Sequence, residues 1–139
     1  MTLHHASSVE YNGKGIIIFG ASGSGKSDLA LRLIDAGANL ISDDYVEVFR
    51  KDDALFVQAA PNITGMIEVR GVGIEKIPYK NSAILDLALE LMPRDKIERL
   101  PEVRFFNEDE CKIPLYQFDG FSSSALAKIR LILQRLHNE

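Results

Sequence analysis

One eight-residue stretch limits what this chain can fold into. It is Gly20-Ala21-Ser22-Gly23-Ser24-Gly25-Lys26-Ser27, set between the apolar run Ile16-Ile17-Ile18-Phe19 and the leucine-spaced segment Asp28-Leu29-Ala30-Leu31-Arg32-Leu33. The letters match GxxxxGK[ST], and the setting of a buried strand, a glycine-rich loop and a helix gives the match its meaning. Gly20, Gly23 and Gly25 let the backbone curl so that successive N–H groups, those of Ala21, Ser22 and Ser24 among them, point at phosphate oxygens. The new helix's N-terminus adds its partial positive charge. Lys26 is then placed to reach the β and γ phosphates of a bound triphosphate, and Ser27 to offer its hydroxyl to Mg²⁺.

The rest of the chain is read as one α/β domain over residues 1–139. Asn12-Gly13 marks a turn between a first short strand and the core strand Gly15 to Phe19. A helix is predicted from Lys26 to about Ala36, with Leu29, Leu33 and Ile34 on one face and Gly37 as its stop. Ala38 to Ser42 reads as a short strand, and Tyr45 to Arg50 with Leu55 to Gln58 as a hairpin. In Ala83 to Leu91, Leu85, Leu87, Leu89 and Leu91 recur at period two, so this segment too is read as strand. Val103 to Phe106 and Lys112 to Gln117 suggest another hairpin, and Ser122 or Ser123 caps a last helix with Leu126, Ile129 and Leu133 inward. The expected architecture is a P-loop kinase-type domain with a mixed sheet, several antiparallel hairpins and a C-terminal helix.

Composition restricts partners. A formal net charge of −4 and no dense Lys/Arg cluster argue against nucleic acid or a membrane surface. Cys111 is the one cysteine, which excludes an internal disulfide and a cysteine-rich zinc site. No apolar run approaches the ~18 residues of a membrane span, and the first residues lack a signal-like apolar core, so the cytoplasm is the expected location.

Two acidic residues, Asp43 and Asp44, come one helix and one strand after Lys26. Such a crossover is expected to return the chain beside the first core strand and leave both carboxylates at the phosphate-loop edge of the sheet. Adjacent strand residues point to opposite faces, so the pair should divide two jobs, one facing Mg²⁺ and one accepting a proton from an attacking hydroxyl. The alternative is a solvated turn of the kind expected at Asp52-Asp53. Farther on, Gly71 and Gly73 make only a partial dinucleotide pattern. Glu68 and Arg70, at spacing two on an extended segment, should face the same way, either as a structural ion pair or as part of a site.

Four stretches in this order, HASSVEYNGKGIIIFGASGSGKSD, LISDDYVEV, IEVRGVGI and DKIERL, resemble the catalytic domain of the HPr kinase/phosphorylase family. The resemblance implies an ATP- and Mg²⁺-dependent serine kinase acting on HPr, the small phosphocarrier of the sugar phosphotransferase system. It implies Lys26 as the phosphate-binding lysine, Ser27 and Glu68 as Mg²⁺ ligands, and Asp44 as the proton acceptor with Asp43 its acidic partner, near the metal. Arg70 falls in the segment needed for both family reactions, His5 aligns with an active-site histidine, and Arg99 is the candidate for a remaining active-site arginine. For His4 and His5 the alternative is two solvent-exposed side chains near a fraying terminus.

The same resemblance implies a short form without the family's separate N-terminal domain, and a homo-oligomer, a hexamer, built through this domain. The family's basic PxRxGRN-like stretch is here IPLYQFDGFSSSAL, without arginine, so weak or lost phosphorolysis is expected. Two other readings stay open: a P-loop kinase for a small molecule, and a nucleotide-sensing module without phosphotransfer. No Asn-Lys-x-Asp sequence for reading guanine is present, which disfavours a GTPase switch.

Overall fold

A computed structural model describes residues 1–137. In chain order it contains β1 (Thr2–His5), β2 (Ser7–Tyr11), β3 (Lys14–Phe19), α1 (Lys26–Asp35), β4 (Asn39–Ser42), β5 (Tyr45–Lys51) and β6 (Ala54–Ala59). There follow β7 (Met66–Val69), β8 (Gly73–Lys76), β9 (Ser82–Leu91), a 3-10 turn at Arg94–Lys96, β10 (Arg104–Glu108), β11 (Cys111–Phe118) and α2 (Ala125–His137).

The strand β9 organises the main sheet. On one edge it pairs in parallel with β3. Its other edge is shared: β6 runs antiparallel along Ser82–Ile84, and β11 runs parallel along Ala88–Leu91. The path runs β1-β5-β6-β9-β3-β2-β4, with the β10–β11 hairpin attached to β9, while β7 and β8 form a separate two-stranded ribbon. The mixed sheet with antiparallel hairpins and a C-terminal helix agrees with the sequence reading. One expectation is corrected: β4 does not lie beside β3. The tight turn at Asn12-Gly13 folds β2 onto that edge of β3, so β4 pairs with β2 instead. Two antiparallel steps still leave β4 parallel to β3, and the two strands end at the same edge of the sheet.

Apolar residues fill both faces. Ile16 and Ile18 of β3, with Leu87 and Leu89 of β9, pack against Leu29 and Leu33 of α1 and Ile129 and Leu133 of α2. On the other face Ile17, Leu85 and Ala88 pack with Val46, Val48 and Val57. The period-two leucines of β9 therefore do not share one face. Gly15 pairs with Leu85 but Ile16 pairs with Leu87, so Asp86 is an extra residue that shifts the phase. The Gly15 amide donates to Asp86 Oδ2 at 3.2 Å, so a carboxylate serves as acceptor at the irregularity. Gly15 itself is required: a Cβ there would land on the Ile84 carbonyl oxygen.

The last helix begins one or two residues later than expected. Ser124 precedes it, and the Ser122 hydroxyl accepts the Ser124 N–H at 3.2 Å in the turn before. Ala125, Ile129, Ile132 and Leu133 are buried, and Leu126 and Leu136 pack against the same core, which accounts for the width of its apolar face. His4 is not a frayed side chain: its Nε2 lies 2.7 Å from Glu108 Oε1, and its ring meets Phe19 and Phe106 edge-on. No helix among the described residues is long and apolar enough to cross a membrane.

Two measurements test this account. Gly15→Ala forces a backbone shift between the two central strands and should lower the unfolding free energy by about 1–3 kcal/mol in urea titrations. Burial lifts the Asp86 carboxyl above its ordinary value of 3.8, against the opposing pull of the Gly15 amide and Lys14. The folded state therefore holds that proton more tightly than the unfolded one, and ionising Asp86 costs stability as pH rises from 3.8 through the folded-state value. Asp86→Asn keeps an acceptor for Gly15 and removes the ionisation. Its stability advantage over the native chain should grow across that interval and then level off.

Candidate active site

The loop after β3 places two of its glycines in conformations that other residues adopt with strain. Gly23 has φ +81° and Gly25, the residue preceding α1, has φ +98°. Among the described residues no side chain caps the start of α1, so its first N–H groups are open to an anion. Lys26 is buried to 8% exposure, and its ammonium donates to the carbonyls of Gly20 (2.8 Å) and Ala21 (3.3 Å). The lysine thus braces the loop it belongs to. Ser24 Oγ is buried and has no hydrogen-bond partner among the described residues.

The two aspartates after β4 differ sharply. Asp43 is 6% exposed, and its Oδ1 accepts from Ser7 Oγ (2.8 Å) and Ser27 Oγ (2.7 Å) while its Oδ2 accepts from the Glu68 amide (3.1 Å). Asp44 keeps 60% of its side chain exposed and pairs through Oδ1 with His5 Nε2 at 2.7 Å. This division does not come from strand alternation, because β4 has ended at Ser42. It comes from Asp44's left-handed backbone, φ +70°, which turns its side chain away from its neighbour's. At Asp52-Asp53 the second acidic pair does form an exposed hairpin turn, joining β5 to β6.

These groups surround a cleft of about 420 Å³, within the range of small-ligand sites. His5, Ser22, Gly23, Gly25, Lys26, Ser27, Asp44, Glu68 and Arg70 all line it. Glu68 lies on β7 and Arg70 on the turn after it; both reach the cleft, and no ion pair links them among the described residues. Gly20, Ala21 and Asp43 stand behind the wall, where they hold Lys26 and Ser27. Arg99 is the exception. It sits on the exposed segment after the 3-10 turn and is not among the cleft-lining residues. Sequence reasoning missed Ser7, whose buried hydroxyl orients Asp43, and Phe121, whose ring lines the cleft mouth. The only available signal for Phe121 was a large aromatic in an otherwise polar stretch between a strand and a helix.

The donor set suits Mg²⁺ bound together with phosphates. This ion keeps several waters and takes one or two carboxylates plus phosphate oxygens, so it does not need a closed protein cage. No cluster of three or more His, Cys, Asp or Glu side chains arranged for a metal occurs among the described residues. The Ser27 hydroxyl against Asp43, with Glu68 lining the same cleft, supplies oxygen ligands of the right kind.

Residues 1–102 match the family model for the HPr serine kinase C-terminal domain. A protein of Lachnoclostridium phytofermentans named HPr kinase/phosphorylase is 40% identical over 95 residues, which are 63% of this chain and 31% of that protein. One of the same name from Limosilactobacillus reuteri is 37% identical over 108 residues, 76% of this chain and 32% of that protein. The chain thus spans about a third of the length of the curated relatives it matches. A solved structure of the Hpr(Ser) kinase/phosphatase from Coxiella burnetii has the same fold, with a TM-score of 0.84 at 23% identity, covering 99% of this chain and 91% of that one.

Removing the Asp43 carboxylate strands three donors, one of them a buried backbone N–H. Asp43→Ala should therefore cost about 1.5–3 kcal/mol of unfolding free energy and speed hydrogen exchange at the Glu68 amide. Asp44→Asn, which retains a side chain tolerant of positive φ at an exposed position, should stay within about 0.5 kcal/mol of the native chain.

Proposed function

Because the chain belongs to the HPr serine kinase C-terminal domain family, we propose that it is an ATP- and Mg²⁺-dependent protein kinase whose acceptor is a seryl hydroxyl of HPr. The observation that carries this reading is the pairing of Asp44 with His5 in the same cleft as Lys26. An exposed carboxylate held by a neighbouring imidazole is open to a hydroxyl arriving from solvent, as a protein acceptor requires.

ATP with Mg²⁺ would supply the transferable γ-phosphoryl group and neutralise part of its charge. The chain's own residues do the rest. The loop N–H groups of Gly23 to Ser27 and the start of α1 bind phosphate oxygens, and Lys26 offers its ammonium to the same group. Ser27, Asp43 and Glu68 are the residues that would hold the metal. Asp44 takes the proton from the seryl hydroxyl as it attacks, and His5, through its 2.7 Å contact, keeps the accepting oxygen oriented. Arg70 adds positive charge at the cleft wall where negative charge builds up.

The same reading includes a cytoplasmic location and a homo-oligomer, a hexamer by family resemblance. The family's reverse reaction transfers a seryl phosphate to inorganic phosphate and releases pyrophosphate. It should be weak here, since residues 113–126 contain no arginine to bind the incoming phosphate.

The test is transfer of label from γ-labelled ATP with Mg²⁺ to purified HPr. The native chain should place stable label on a serine. Asp44→Asn should lower the rate by about 10²–10⁴-fold, the range for loss of a general base, with nucleotide affinity retained. Lys26→Ala should lower both binding and transfer. Nucleotide binding without label on HPr would overturn the acceptor assignment and leave a small-molecule kinase or a nucleotide-sensing module. Pyrophosphate release from seryl-phosphorylated HPr at a rate comparable with the forward reaction would overturn the weak phosphorolysis.

A further inference from the structure

Phe121 is 65% exposed, yet the loop that carries it is held from several sides. Its amide donates to Asp119 Oδ1 at 3.0 Å. Arg32 of α1 donates to the carbonyl of Gly120 and, at 3.5 Å, to that of Ser122, while its Nε bonds Asp28 at 3.1 Å. Gly120 packs so closely on Leu91 that a Cβ there would lie 3.0 Å from Leu91 Cδ1. The ring itself rests on the phosphate loop: a Cβ at Gly25 would fall 2.9 Å from Phe121 Cζ. An exposed phenyl ring on a braced loop loses little conformational entropy on meeting a ligand.

Its position in the topology is equally specific. The strands β3, β9 and β11 run parallel, so the loops that follow β3 and β11 emerge at one edge of the sheet. That edge is where ligands bind in open α/β sheets. Phe121 therefore stands at the mouth of the cleft beside the phosphate loop, in a lining that is otherwise polar except for Leu31 and Val69. It also lies beyond residues 1–102, the part of the chain that the family model matches.

We propose that Phe121 is the platform on which the base of a bound nucleotide stacks, the cleft taking phosphates at the loop and the base at this ring. The inference rests on the nucleotide reading above. A phenyl face offers no hydrogen-bonding atom, so this contact favours a base over none without choosing among bases.

Binding of ATP, GTP and inorganic tripolyphosphate, each with Mg²⁺, to the full chain by calorimetry tests it. Phe121→Ala should weaken ATP and GTP alike by about 5- to 150-fold, the range for a lost base–aromatic stack, and leave tripolyphosphate unchanged. Phe121→Leu, which keeps an apolar side chain over Gly25, should show the same selective loss and serves if the alanine variant does not fold. The chain contains no tryptophan, so Phe121→Trp gives a single reporter whose fluorescence should respond to ATP but not to tripolyphosphate. Equal weakening of all three ligands, or no weakening of any, overturns the proposal while leaving the phosphate site intact. Unchanged nucleotide affinity with impaired labelling of HPr overturns it in favour of a contact with the acceptor. Failure of the native chain to bind any of the three ligands removes the nucleotide reading, and this inference with it.

Discussion

The buried carboxylate of Asp43 is the contact on which the site's geometry depends. Withdrawing a carboxylate from water is costly unless donors replace the lost hydration. Here the donors come from three elements distant in sequence: Ser7 on β2, Ser27 at the start of α1 and the amide of Glu68 on β7. Each donor also belongs to a part that the chemistry requires. Ser7 further accepts the Asp44 amide at 3.3 Å, so the exposed aspartate is positioned through the same group of contacts. The requirement to solvate one internal charge thereby draws the phosphate loop, the acidic pair and the β7–β8 ribbon to a common centre.

That arrangement gives two adjacent aspartates different chemical capacities through different partners. Asp43 has its oxygens committed to donors and suits a fixed, binding role. The Asp44 carboxylate makes one hydrogen bond among the described residues, to His5, and keeps most of its side chain in solvent, as a group that exchanges protons with an arriving substrate requires. Lys26 shows the same economy, bracing the loop through the Gly20 and Ala21 carbonyls from the position that the motif assigns to phosphate contact.

Much of this was legible in the residues. The phosphate loop was read from glycine spacing and the flanking apolar periodicities, which are local and depend on no partner strand. The hairpins were likewise read from alternation and turn residues. What escaped depends on pairing across the chain. The extra residue at Asp86 shows only in its register against β3, so a period-two count carried Leu85 onto the wrong face. The separation of β4 from β3 follows from where β2 folds back, which no property of β4 itself encodes. The divergence of Asp43 from Asp44 was anticipated for the wrong reason, since a positive φ, not strand pleating, produces it. Arg99 was placed by a loose local similarity, and it is not among the cleft-lining residues. Phe121 had no motif to mark it, because its meaning comes from the loop it faces.

The divided edge of β9 also has a consequence for the order in which the protein is made. When residues up to Leu91 have emerged during synthesis, β3 and β6 can both be in place, but the Ala88–Leu91 half of that edge has no partner until Leu115–Phe118 arrive. This half belongs to an apolar strand, with Leu87, Ala88 and Leu89 all fully buried in the finished fold. An open apolar edge is a template for pairing with another chain. The interval between the completion of β9 and the docking of β11 therefore leaves a nascent chain open to intermolecular association along this edge. It closes only with the strand that also delivers the cleft's last wall.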